Sequence, residues 1–161
     1  MSENNGSVRC MLLPLTSISL LIPNSAVAEI IGFSTPRKIS ATSDWFSGAV
    51  LWRGVYIPVV SVEQMCGLGV AGVGPRARIA IIYNPEKDAD LPYLGIHMQD
   101  IPRAYLADSN TIESTGDAPI SEYLLCQIDE DQLVRAIPDL DKIIVDLKIE
   151  FTPERIAELS R

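Results

Sequence analysis

The stretch Gly48-Ala-Val-Leu-Trp-Arg-Gly-Val-Tyr-Ile-Pro-Val-Val60 constrains the chain more than any other. Two apolar runs, Ala49 to Trp52 and Val55 to Val60, flank the pair Arg53-Gly54. β-Branched and aromatic residues dominate both runs, and glycine accepts the backbone angles of a tight turn. The stretch therefore reads as strand, turn, strand. The turn carries the chemistry, because one arginine sits between two strands with Trp52 and Tyr56 near it in sequence. A guanidinium offers directional pairing and stacking, which suits a strut or a recognition contact better than catalysis.

Before this hairpin, Met11 to Leu15 and Ile18 to Ile22 read as short strands around a Thr16-Ser17 bend. Pro23-Asn24 turns the chain, and Ser25 to Ile31 continues as extended chain or a brief helical turn. Gly32 to Asp44 is loop-rich, with Trp45 and Phe46 as anchors pinning it to a core. After the hairpin, Ser61 followed three residues later by Gln64 is the pattern of a capping box, predicting a short helix closed by Gly67. Arg78 to Tyr83, Pro92 to Met98 and Ser121 to Ile128 read as strands, with a further short one around Ala104 to Leu106. Gly116 to Pro119 reads as a turn, and Asp129 to Gln132 as the cap of a short helix. Thr152-Pro153-Glu154 starts a last helix. About eight to ten short strands, with no long crossover helix, predict an all-β fold of small barrels.

Several function classes fall away. The chain has 13 Lys plus Arg against 21 Asp plus Glu, a formal charge of -8, which disfavours a general nucleic-acid or anionic-membrane binder without excluding a local basic patch. Gly67, Gly69, Gly72 and Gly74 invite a phosphate-loop reading, but neither GK[ST] nor GxGxxG is present. His97 is the single histidine, which argues against metal ligation and against a catalytic base. Cys10, Cys66 and Cys126 are widely spaced and read as free thiols of a reducing compartment. The apolar tract from Met11 to Phe33 is broken by Pro14, Pro23 and Glu29, so it reads as neither a signal peptide nor a membrane span. Cytoplasmic residence, with no cofactor and no metal, is the expectation.

With these residues in view, the run Gly48…Arg53-Gly54…Ile57-Pro58-Val59-Val60 resembles the CheW-like domain of bacterial chemosensory adaptor proteins. Val27-Ala28-Glu29-Ile30 resembles the family's V-x-E-I element, and Ala77 to Tyr83 with Tyr93 to His97 resemble two strands that it joins by a hairpin. Tyr123 to Asp129, followed by Leu133, resembles its closing strand and short helix. Within the family the chain looks most similar to the ChpC-type protein of the chemosensory system that controls type IV pili and twitching motility. Two places depart from the pattern. Gln99 stands where the family usually has aspartate, and Gly67 to Pro75 is uncharged where polar residues are common.

The resemblance implies two SH3-like five-stranded β-barrel subdomains with short connecting helices and a short C-terminal helix. It divides the chain into a flexible tail over 1–9, a CheW-like domain over 10–145 and an extension over 146–161 with a helix at 153–159. It implies a non-enzymatic adaptor, coupling the cytoplasmic tip of a methyl-accepting chemoreceptor to the regulatory domain of a CheA-type histidine kinase. Such a protein is cytoplasmic and recruited to receptor arrays without entering the membrane. Glu29 and Arg53 then form a bonded pair, as a structural brace or a receptor contact, and both readings stay open. Val27, Gly48, Gly54, Ile79 and Gly95 fall in a partner-binding groove. The alternatives are a small-barrel interaction or ligand-binding module outside chemosensing, a regulator that binds the kinase alone, and an enzyme built on Cys66 or Cys126 with His97.

Overall fold

The computed structural model describes residues 6–40, 42–70, 72–108, 119–130 and 133–159. In chain order, the first strands are β1 (Val8–Pro14), β2 (Ser19–Pro23) and β3 (Val27–Gly32), with a 3-10 turn over Asn24–Ala26 between the last two. The central hairpin is β4 (Phe46–Trp52) and β5 (Val55–Val60), followed by helix α1 (Val62–Met65). Then come β6 (Arg78–Tyr83), β7 (Tyr93–Met98), β8 (Arg103–Ala107), β9 (Leu124–Glu130) and β10 (Leu133–Pro138). Helices α2 (Leu140–Glu150) and α3 (Pro153–Glu158) end the described chain.

The hairpin turn follows from its two residues. Arg53 and Gly54 both adopt left-handed φ values, 50° and 79°, which is the geometry that matches the twist of two flanking strands. At the other end of β4, Gly48 has φ 124°, and a Cβ there would lie 2.4 Å from the carbonyl oxygen of Arg37. Only glycine admits that approach. It lets the Arg37 backbone bridge Ala49 through hydrogen bonds of 2.7 and 2.9 Å.

The strands form two five-stranded sheets, ordered β8-β1-β2-β10-β9 and β3-β6-β7-β5-β4. Each is antiparallel apart from one parallel pair, β10 with β2 and β5 with β7. The expected barrels are corrected here, because both sheets are open and mixed. In the second sheet, Ala49 faces Pro58, which has no N–H, so the Ala49 amide and carbonyl turn outward. There they meet Arg37 rather than β3, and the edge that closure requires is already engaged. In the first sheet, β8 and β9 are the outer strands, and among the described residues no ladder joins them. Closure depends on strand tilt and stagger, and strand number alone reports neither.

Both faces of each sheet are nonetheless buried in part. On β6, Ala80 and Ile82 enter a shared core between the sheets, while Ile79 and Ile81 join Val50, Trp52, Ile57 and Val59 in a second cluster. That two-sided burial explains the uninterrupted apolar run of β6. The first sheet has its own smaller cluster of Cys10, Leu12, Leu21, Ala107 and Ile128.

The helices bring agreement at the starts of α1 and α3 and corrections elsewhere. Ser61 Oγ accepts from the Gln64 N–H at 3.3 Å and so caps α1, whereas the Ser61 amide bonds Trp45 O instead of a Gln64 side chain. Asp129 and Glu130 lie in β9 rather than in a helix cap, because they pair across a hairpin with Val134 and Leu133. The expected cap also included Asp131 and Gln132, which lie outside the described residues, as does Gly116 of the expected turn. Helix α2 has no counterpart in the expectations. Asp139 caps it, and Ile143, Ile144 and Leu147 bury one face in the shared core.

Candidate functional site

The exposed end of the hairpin gathers the polar chemistry. Glu29 stands on β3, just beyond an irregularity in its pairing with β6, and reaches across the sheet end to the turn. Its Oε1 accepts from Arg53 Nη2 at 3.0 Å and from Trp52 Nε1 at 3.3 Å. The Arg53 guanidinium carbon lies 4.5 Å from the centroid of the Trp52 ring, within cation–π range. Trp52, only 8% exposed, is held in turn by Tyr93, whose ring meets it edge-on at 5.0 Å. Tyr83 pairs with Tyr93 across the β6–β7 ladder, and their centroids are 5.6 Å apart.

Exposure decides what this arrangement does. The Arg53 side chain is 69% exposed and that of Glu29 40%. An ion pair so open to water adds about 0.2–1 kcal/mol to stability. It does, however, fix the direction of the guanidinium over a rigid aromatic base and leaves other N–H donors facing outward. A cation pre-oriented over an aromatic ring is equipped to recognise a carboxylate or a carbonyl on another protein.

The other groove residues divide between surface and interior. Val27 begins β3 and is half-buried, and Gly54 is exposed in the turn beside Arg53. Gly48 is buried against Arg37. Ile79 is fully buried, and a Cβ on Gly95 would lie 3.0 Å from its Cγ2 and 3.2 Å from that of Val59. The close approach at Gly48 and Gly95 is thus to the chain's own atoms. Sequence reasoning names Trp52 only as a neighbour and overlooks Tyr83 and Tyr93. Counting the register of the hairpin that joins those two strands would place the tyrosines opposite each other at its end.

Among the described residues, His97 Nε2 has no hydrogen bond to a thiol or to any other group. All three cysteines are free thiols. Burial pushes the Cys10 and Cys66 thiols up, away from the reactive thiolate, although a Ser121 hydrogen bond opposes this at Cys66. His97 stacks on Phe33 instead, with ring centroids 4.7 Å apart. Among the described residues there is no cluster of three or more metal-ligating side chains, and no helix is long and apolar enough to cross a membrane.

Comparison with known proteins places these features in a wider context. A family model described as the CheW-like domain matches residues 9–148. The crystal structure of scaffolding protein TtCheW from Thermoanaerobacter tengcongensis superimposes with a TM-score of 0.69 at 18% identity, covering 86% of this chain and 89% of that one. At that identity the likeness speaks for the fold. No curated protein sequence matches the chain.

Proposed function

Because this chain belongs to the CheW-like domain family, we propose that it couples a methyl-accepting chemoreceptor to a CheA-type histidine kinase in the control of type IV pili and twitching motility. Members of the family are non-enzymatic scaffolds and adaptors of chemosensory signalling. The observation that carries the reading is the family match over residues 9–148, which includes every strand but the first residue of β1. The adaptor domain then spans 10–145, and 146–161 is an extension of it. The protein works in the cytoplasm and reaches the membrane only through the receptor.

Arg53 and Glu29 supply the polar centre of the receptor contact, with Val27 and Gly54 beside them and Gly48, Ile79 and Gly95 supporting the strands behind. The physical basis is recognition without chemistry. A helical receptor tip offers carboxylates and carbonyls to the outward guanidinium, while the aromatic base keeps that cation from reorganising on binding. The pairing between Glu29 and Arg53 holds the free protein ready rather than holding it folded.

Purified protein measured against the kinase regulatory domain and against the receptor signalling tip tests this. Binding to both is expected, with Arg53→Ala weakening the receptor arm about tenfold or more and sparing the kinase arm. Folded protein that binds neither partner overturns the adaptor role. Binding to the kinase alone removes the receptor half and favours an accessory regulator.

A further inference from the structure

Three features that the adaptor reading leaves unused meet at one place on the second sheet: the single histidine, a buried glutamate and the glycine-rich stretch after α1. His97 on β7 is 6% exposed, and its Nε2 is buried without a hydrogen-bond partner. A buried ring nitrogen left so forfeits about 1–3 kcal/mol of hydration, and folded proteins rarely accept that without a use. Glu63 of α1 is 1% exposed and receives a long bond of 3.4 Å from Gln99 Nε2. Its charge is felt at the imidazole. Gly72 approaches Gln99 from the glycine-rich side.

His97 forms part of the wall of a half-open pocket of about 210 Å³. Lys38 brings a cation to that wall, and Ser47 and Gln64 bring neutral donors. Phe33, Val70 and Val73 give it an apolar side, with both valines exposed, and Asp44 adds one negative charge to the lining. We propose that this pocket binds a carboxylate carried on a short aliphatic stem. Lys38 pairs with the carboxylate, and the stem lies against Val70, Val73 and Phe33. The aliphatic wall and the small volume exclude bulky or highly charged anions.

His97 supplies the coupling. In the empty pocket burial lowers the affinity of the ring for a proton, partly offset by Glu63. A bound carboxylate puts the ring between two negative charges, and a proton taken from solvent then gives it the charge-assisted bonds it lacks. Glu63 from α1 is the charge felt at the ring, Lys38 and Asp44 from the segment before β4 line the same pocket, and β6 presents the apolar Ile79 opposite it. Asp44 opposes the ligand's charge, so the site suits weak, reversible binding. It shares no residue with the Arg53 surface and does not rest on the adaptor role.

The single histidine makes the test direct, because the chain contributes one imidazole Cε1 proton to the NMR spectrum. The full chain is titrated with butyrate as probe, with butyramide and sodium chloride as controls, and in a separate arm with a peptide bearing one glutamate between aliphatic residues. Butyrate is expected to shift the resonance saturably and to raise its titration midpoint by about one pH unit, with butyramide silent. Lys38→Gln, at an exposed position that leaves folding intact, is expected to weaken butyrate about tenfold. A peptide that binds more tightly than butyrate identifies the source as another protein, and butyrate binding without the peptide identifies a free metabolite-sized acid. No saturable shift, or the same shift from butyramide or chloride, overturns the proposal.

Discussion

The two sheets have five strands each and the same number of parallel pairs, yet they are built differently. The second sheet uses one continuous span, Val27 to Met98, and fills the face turned away from the shared core with Val50, Trp52, Ile57, Val59, Ile79 and Ile81, backed by Phe33 and Tyr93. The first sheet joins β1 and β2 to strands that arrive after residue 102, and among the described residues its separate cluster holds five, Cys10 and Ala107 among them. Beside that cluster lies an apolar hollow of about 390 Å³, lined by Val8, Cys10, Leu21, Ala107 and Ile137 among others. The contrast separates two tasks. The densely filled sheet holds Trp52 and Arg53 in fixed positions, as a recognition surface requires. The sparsely filled one closes the ends of the chain over the shared core. Pairing within a short span also costs less loop-closure entropy than joining distant segments.

The largest effect expected of a single change removes the part that both sheets share. Leu147 of α2 is fully buried in the common core, and Leu147→Ala is expected to cost about 3 kcal/mol. Chemical denaturation followed at the tryptophans should show one cooperative transition at lower denaturant. Loss of the first sheet alone would instead separate the two halves energetically.

Adding volume should then distinguish them. Gly95→Val in the second sheet drives a side chain against Ile79 and Val59 and is expected to destabilise by about 2 kcal/mol. Ala107→Val in the first sheet extends into the hollow and is expected to stabilise by about 0.5–1 kcal/mol. Opposite signs in thermal melts support the contrast in packing, and equal signs break it.

The Glu29–Arg53 pair lies further down the scale. A double-mutant cycle with Glu29→Gln and Arg53→Ala should give a coupling below about 1 kcal/mol in stability, since both side chains are largely in water. The same cycle in receptor binding should give a larger value, because there the partner removes the water.

Acid gives the smallest and most local effect. Burial alone raises the Glu150 carboxyl, but hydrogen bonds from Ser43 and Arg155 outweigh it and hold the group below its ordinary value of 4.5. Its folded value lies below the unfolded one, so its contribution is complete above the ordinary carboxylate range. It is lost as the pH falls through the folded value. Amide exchange over 152–159 should therefore quicken below about pH 4, before the β4–β5 ladder responds.

Much of the fold is legible in the amino-acid sequence. Two β-branched and aromatic runs and a turn glycine mark the central hairpin, and Arg53-Gly54 sits where two left-handed residues are required. Ser61 and Thr152 announce their helices through side chains that satisfy free amides. Helix α2 escapes notice although Ile143, Ile144 and Leu147 follow a helical spacing after Asp139, because its residues run on from the preceding strands into the chain's tail. The site is half visible. Glu29 and Arg53 are joined only through a family pattern, and nothing local in the sequence signals that Glu29 of β3 lies beside the β4–β5 turn.

What the amino-acid sequence determined by itself was local: which stretches extend, where they turn, which residues cap, and that an arginine would stand at the tip of a hairpin. Those properties depend on backbone angles and on neighbours a few residues away. The tertiary structure alone decided that the sheets stay open, that Gly48 and Gly95 admit the chain's own atoms, and that Arg53 lies over Trp52 in water. Sheet closure, close approach and exposure are set by which distant segments pack together, and a short stretch of sequence carries no term for that.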